Sequence, residues 1–493
     1  VSTSSSPDGP RLYGNWRRAR GFGIANWSPG QTLTLFVTIV TAIAAFYIGV
    51  VVGLVVVGIG VLVAASVLIP VGGSSLWQAL ARTLRFSTAR RRGWTAYSGG
   101  VLTDHPRQHD LPGPMAPLVP LNTDDGRGGK QGLLWDRRSG LITVVLRCSP
   151  VGLDLADQDQ ADQWVASWGA WLADLGYQPM VRWISVTVET APTGGTTIRD
   201  YTHQRRSPHS PQVASQVMDE LLAETPAVTA DVDTRVSITF DPSRANPQPP
   251  DLLAAVAEVS RWIPGLEQGL ASCGVSVLGR ATVPQLITRL RTAYDPASRG
   301  EVAVLDAQQQ VLAWRDAAPV SAREDWDAWH HDSGISVSWA MREAPRQAVT
   351  ERVLVPLLAP GPHPRRVTLL YEPLGADAAA AAVESEISNL AVRQEWAKRT
   401  KRDTTQRDRD DAAHAQQAAR EESQGAGVGT FSLYVTTTVA AAEQIPAAVA
   451  DVELRAGQAK TRLRRLRGAQ ASGFAASLGM GINPRELETR HGY

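Results

Sequence analysis

Residues 31–70 read QTLTLFVTIVTAIAAFYIGVVVGLVVVGIGVLVAASVLIP, forty positions without a charged side chain. One helix of that length would run about 60 Å, twice the roughly 30 Å hydrocarbon core of a bilayer. Two helices of about 18–20 residues, turning near Gly49 to Gly53, fit that thickness better. Arg11, Arg17, Arg18 and Arg20 precede the stretch, Arg82, Arg85, Arg90, Arg91 and Arg92 follow it, and no Asp or Glu occurs between Asp8 and Asp104. The positive-inside rule then places both termini in the cytoplasm, which requires an even number of crossings. The expectation is a two-span, multi-pass protein of the cell membrane, with inner-membrane lipids as its first partner. Arg17, Arg18, Arg20, Trp27, Trp77, Arg82, Arg85, Arg90, Arg91 and Arg92 are its interfacial residues. The apolar core is too long for a secretory signal, and the surroundings of Arg17-Arg18 are poor for a twin-arginine signal.

Composition narrows the function classes. The chain has 493 residues and a formal net charge of +1, so no global basic field marks a nucleic-acid binder. Only Lys130, Lys398, Lys401 and Lys460 are lysines, and with abundant Ala, Gly and Val this resembles the codon bias of a GC-rich, actinobacterial genome. Cys148 and Cys273 lie far apart and form no CxxC pair, which fits a reducing compartment.

The chain divides into a basic leader (1–30), a transmembrane hairpin (31–70), and a basic juxtamembrane segment with a Pro/Gly linker (71–132). An α+β body (133–375), a charged long helix (376–429) and a C-terminal strand-helix segment (430–493) follow. Within the juxtamembrane segment, residues 81–97 read as basic and amphipathic. In the body, 133–136 and 141–147 form a hairpin across Arg137-Arg138-Ser139-Gly140. Trp164, Trp168, Trp171 and Leu175 recur at helical spacing over 161–175, a stripe that more often packs a core than stacks bases. Further strands are expected over 181–189, 234–240, 335–339, 352–358 and 366–371, and helices over 211–223, 252–262 and 284–294. This order suggests a ferredoxin-like sheet with helices on one face. In the last segment a strand over 430–437 precedes one helix over 440–466, and 468–481 closes the folded region.

No catalytic constellation emerges. Gly129-Lys130 lacks the first Gly (Asp124) and the hydroxyl (Gln131) of a Walker A loop, and Lys460-Thr461 has Ala459 at its second Gly position. The pairs His105/His109 and His330/His331 lack the further ligands a metal requires. The alternating charges from Arg393 to Asp411 suit a solvent-bridging helix, and interleaved Asp blunts phosphate affinity. The reading is a non-enzyme with no catalytic, cofactor or metal residues, and without direct nucleic-acid binding.

The leader Arg11-Leu12-Tyr13-Gly14-Asn15-Trp16-Arg17, the hairpin and the basic exit resemble the small PrgI- and VirB-type membrane subunits of type IV secretion systems. The body resembles the N-terminal, non-catalytic half of the conjugation ATPase. The most specific likeness is strand 431–437, helix 440–466 and the run LRGAQASGFAASLG over 466–479, similar to the R-L-x-G-x-Q-x-x-x-F-x-x-x-L passage that leads into that family's motor domain. Here the chain stops at Tyr493, where the motor would begin. The resemblance implies a scaffold of a type IV secretion or conjugation apparatus, homo-oligomeric or part of a larger membrane complex. It would dock a separately encoded ATPase through Leu463, Leu466, Gln470, Phe474 and Leu478. A type VII secretion component of the EccE kind is the alternative.

Overall fold

The computed structural model describes residues 13–14, 29–99 except 69 and 72–73, 109–192 except 153–155, and 206–224 except 208–209. It further describes 230–399 except 309, isolated positions within 413–425, and 427–490. Most of the basic leader, residues 100–108 and nearly all of the charged stretch beyond Arg399 lie outside the described residues, while the rest of the expected Pro/Gly linker holds a strand over Leu118–Asp124 and the start of another at Lys130.

The strands are β1 (Tyr13–Gly14), β2 (Pro70–Val71), β3 (Ser74–Ser75), β4 (Ala96–Ser98), β5 (Leu118–Asp124), β6 (Lys130–Asp136), β7 (Ile142–Pro150), β8 (Val181–Pro192) and β9 (Ala230–Phe240). They continue with β10 (Val275–Arg280), β11 (Ser321–Glu324), β12 (Trp329–His331), β13 (Gly334–Glu343), β14 (Ala348–Val349), β15 (Arg365–Pro373), β16 (Gly429–Val439) and β17 (Arg462–Arg465). The helices are α1 (Pro29–Ile48), α2 (Val50–Leu68), α3 (Leu76–Arg91), α4 (Gln158–Asp174), α5 (Gln212–Glu224), α6 (Leu252–Ala271) and α7 (Val283–Tyr294). After these come α8 (Arg299–Ala307), α9 (Val355–Leu358), α10 (Ala376–Arg399), α11 (Ile445–Gln458), α12 (Gln470–Ser477) and α13 (Pro484–Arg490).

Thirteen strands form one antiparallel sheet in the order β4-β11-β12-β13-β16-β15-β8-β9-β7-β6-β5, with β17 also beside β13 and β10 also beside β7. That replaces the expected ferredoxin-like domain. Both faces are covered: α4 and α6 pack on one face over Val144, Leu146, Val236 and Ile238, while α7 and α12 cover the other over Val145, Leu134 and Trp329. The run Ile142-Thr143-Val144-Val145-Leu146 is buried throughout, as a strand between two layers must be. β16, from the C-terminal segment, lies between β13 and β15, so the division at residue 375 cuts through the sheet.

The sheet repeats its own wiring. The first half runs β5-β6-β7-β9-β8 and the second β11-β12-β13-β16-β15, with β10 beside β7 and β17 beside β13 where the preceding hairpin ends. The bond Ala281 N–H to Val145 O (2.8 Å) has its counterpart in Leu466 N–H to Ser338 O (3.0 Å). Carrying that equivalence through the β7–β9–β8 and β13–β16–β15 registers makes Thr187 the counterpart of Thr368. These two residues also pair with each other across β8 and β15. An approximate two-fold axis normal to the sheet therefore passes between them and relates α6 to α11 and α7 to α12.

Several local expectations change. Residues 352–358 form a 3-10 turn and α9 instead of a strand, with Pro356 in the first helical turn, where its missing N–H costs nothing. The helix expected over 252–262 runs on through Pro264, because Ile263, Leu266 and Leu270 continue its buried face. The single helix expected over 440–466 breaks at Lys460, whose φ is +53°, into α11 and strand β17.

Helices α1 and α2 pack together, Gly53 against Phe46 and Gly60 against Thr38, with Gly49 between them. Among the described residues no helix is long and apolar enough to cross a membrane. This corrects the expected transmembrane hairpin, the membrane and transmembrane character, and the two-span localisation.

Candidate functional site

The described site residues separate into surface and interior. Trp77, Arg85, Arg91 and Arg92 are exposed, and α3, which carries Trp77, Arg82, Arg85, Arg90 and Arg91, has no buried residue. Arg17, Arg18, Arg20 and Trp27 lie outside the described residues. Leu463 pairs with Met341 in β17, and Leu466 follows it, both partly buried. Gln470, Phe474 and Leu478 are interior, none more than 1% exposed. They cannot form the expected docking surface in this conformation. They hold the C-terminal passage onto the sheet instead.

That passage lies over the middle strands because its side chains are small. In α12, Ala471, Gly473, Ala475 and Ala476 let the helix approach closely, and a Cβ at Gly473 would meet Ser338. Gln470 Oε1 accepts from Ser338 N–H at 2.7 Å, and its Nε2 donates to Leu466 O at 2.9 Å. Thr368 Oγ1 donates to Ser477 O at 2.8 Å, and Arg235 Nε to Leu478 O at 3.1 Å. Ser237 Oγ donates to Gly479 O. Gly479 and Gly481 have φ of +65° and +82°, and Cβ atoms there would strike Thr187 and Thr143. The passage thus crosses the two-fold axis and bonds to both halves. It leaves as α13, where Arg182 Nη2 meets Glu486 Oε1 at 2.8 Å and Asn483 Nδ2 donates to Glu372 Oε1 at 2.9 Å.

Beside it lies a buried network of charge. Arg235, 2% exposed, donates from Nη1 to Asp233 Oδ2 at 2.5 Å and from Nη2 to Glu189 Oε2 at 3.1 Å. Arg299 Nη2 donates to Glu189 Oε1 at 2.5 Å, and Arg289 Nη2 to Asp233 Oδ1 at 2.5 Å. Arg366 pairs in register with Glu189 and stacks over Phe474 at 4.6 Å. Its Nε and Nη2, and Arg299 Nε, have no hydrogen-bond partner among the described residues. Burial by itself would push the Glu189 carboxyl up. Arg299, Arg235, Arg366 and Arg289 outweigh it and hold that carboxyl far below its usual range. Burial, only partly offset by Glu189, lowers the Arg366 guanidinium to about 10.

Four guanidiniums share two carboxylates, so a cationic surplus remains. The network opens into a cleft of about 380 Å³ lined by β9, α7 and α8. The sequence reading does not nominate these residues. Their signal is a charged side chain inside a strand of otherwise buried positions, as Arg235 is in Thr234–Phe240 and Arg366 is in Arg365–Thr368.

His105 lies outside the described residues, and among those described no group of three or more His, Cys, Asp or Glu could hold an ion. His331 Nδ1–H donates to Tyr294 O at 2.5 Å, while Nε2 accepts from Ser336 Oγ at 2.8 Å. No protein-family model matches this chain, and no curated protein matches it.

Proposed function

We propose that this chain is a non-catalytic structural subunit of a type IV secretion or conjugation apparatus that docks a separately encoded ATPase. The observation that supports this reading is where the motor-leading passage sits. Residues 466–479, which resemble the run into the ATPase motor, are bonded to strands of both halves and cross the two-fold axis. Whatever engages the chain just beyond them is held by the whole sheet and not by one loop. The docking surface is then α13, with Arg485 exposed and Glu486 anchored to Arg182.

The test is affinity purification of the full chain from its native host, with bound proteins identified by mass spectrometry. A Walker-motif conjugation ATPase is expected with the intact chain. It should be lost with Arg485→Glu and with removal of residues 484–493, while circular dichroism and the thermal midpoint show the sheet retained. If the folded variants still carry the ATPase, α13 is not the docking surface. If the intact chain recovers triple-ATPase type VII components instead, the apparatus is the other one.

A further inference from the structure

The cleft beside the buried charge network has no role in the docking reading. Its composition is not imposed by the fold, because the second half supplies a control. At the positions equivalent to Glu189, Asp233 and Arg235 it carries Leu370, Ser432 and Tyr434. The same strands therefore close over the same layer without ions. Buried ionic clusters are weak contributors to stability, since desolvation offsets most of the Coulomb attraction. A cluster confined to one of two equivalent sites, with more cations than anions, calls for a missing anion.

The geometry is that of two prepared forks. Arg289 and Arg299 both line the cleft with partly exposed side chains, and each is held from behind by one carboxylate, Asp233 or Glu189. A guanidinium has five N–H donors, and each of these ion pairs engages the Nη2 group. Each fork is thus held in place with donors left over. Counting every charge lining the cleft or standing behind it, Arg147, Arg235, Arg289, Arg299 and Arg366 face Glu189, Asp231, Asp233 and Asp306. Asp231 and Asp306 are exposed at the rim, where water weakens but does not abolish their repulsion of an anion.

We propose that this cleft binds a phosphate group carried by a small molecule, gripped by Arg289 and Arg299 with Arg235 behind them. Phosphate suits the site better than a carboxylate, because it brings up to two charges and three terminal oxygens to two planar forks. A volume of about 380 Å³ is at the small end of ligand sites, which favours a compact phosphate monoester over a polymer.

Inorganic phosphate, titrated into the full chain in chloride buffer and followed by calorimetry and 31P line width, tests the proposal. Saturable binding to one site is expected. It should weaken by about tenfold or more in Arg289→Gln and in Arg299→Gln, the loss of one charge-assisted fork. Arg299→Lys, which keeps the charge but not the fork, should recover only part. Because Arg299→Gln also removes a partner of Glu189, the exposed rim variant Asp231→Asn serves as the second arm and should tighten binding. Absence of saturable binding, binding undiminished from the parent in either Gln variant, or no gain with Asp231→Asn would overturn the site. None of these outcomes depends on the ATPase, so this site and the docking reading fail separately.

Discussion

Thr187 and Thr368 join their hydroxyls at 2.9 Å across the two strands where the halves of the sheet meet, and each is the other's counterpart. Yet the pair is not symmetric in its hydrogens. Thr368 commits its single hydroxyl proton to Ser477 O, so Thr187 is the donor between them. Thr368→Val should therefore cost more than Thr187→Val. The first strands both a buried carbonyl and the Thr187 hydroxyl, at about 1–3 kcal/mol for each unsatisfied group, and the second removes a single bond worth about 1 kcal/mol. Denaturant unfolding of the two variants and the double variant measures this; equal losses would refute the assigned direction.

Gly481 is required twice over. Its φ of +82° disfavours any side chain, and a Cβ would collide with Thr143. Gly481→Ala should destabilise by roughly 2–4 kcal/mol, combining left-handed strain with overpacking. Gly128, with φ of +86° and open space around it, should lose only about 1 kcal/mol as Ala. Comparing the two unfolding curves separates backbone strain from collision.

Acid should weaken the fold through His331. Burial, against the Tyr294 carbonyl that favours the cation, lowers its pKa from 6.5 to about 4, and Arg366 and His330 add to the lowering. Between those values the unfolded chain binds the proton and the folded chain does not. Stability is therefore flat above about 6.5 and falls as pH drops to about 4, by roughly 3 kcal/mol for this residue. Glu189 works in the same direction at lower pH: its depressed pKa stabilises the fold above the ordinary carboxylate value and that contribution fades as pH falls below it. His331→Asn keeps a donor toward Tyr294 and should flatten the upper window alone. An unchanged slope there would mean that another group titrates.

Both thiols should be slow to react. Cys148 and Cys273 are buried, and burial raises both, Cys148 to about 11. A thiol-disulfide reagent at neutral pH should modify neither quickly in the folded chain and both at once in guanidinium. Rapid labelling of one thiol under native conditions would mean that its surroundings open.

The tryptophan stripe was legible in the sequence, and the structure packs Trp168 and Trp171 at 5.1 Å over the strands. The extent of the sheet was not. Ile142 to Leu146 is buried throughout and apolar except for Thr143, the mark of a strand covered on both sides, yet alternation is the pattern that suggests a one-sided sheet. The internal repeat is hidden because its counterparts differ in chemistry, as Arg235 and Tyr434 do, while the backbone registers agree. Leu463 and Leu466 fit a helical face by spacing, and only the turn at Lys460 moves Leu463 into β17 and Leu466 just past its end. Interior residues such as Phe474 looked like docking candidates because a buried face and an interface share one composition.

The two borders of the sheet are equivalent by wiring but not by character. On the second half, β11 carries β4 along its outer side; on the first half, β5 carries no further strand among the described residues and contains Pro120, which has no N–H to offer. Copies of the chain brought border to border would meet unlike partners, β4 on one side and on the other a strand missing a donor. Open antiparallel sheets pass into fibres by repeating a single joint from molecule to molecule. Here the pseudo-symmetry that builds the sheet stops short of its rims, and the N–H missing at Pro120 weakens any joint made through β5.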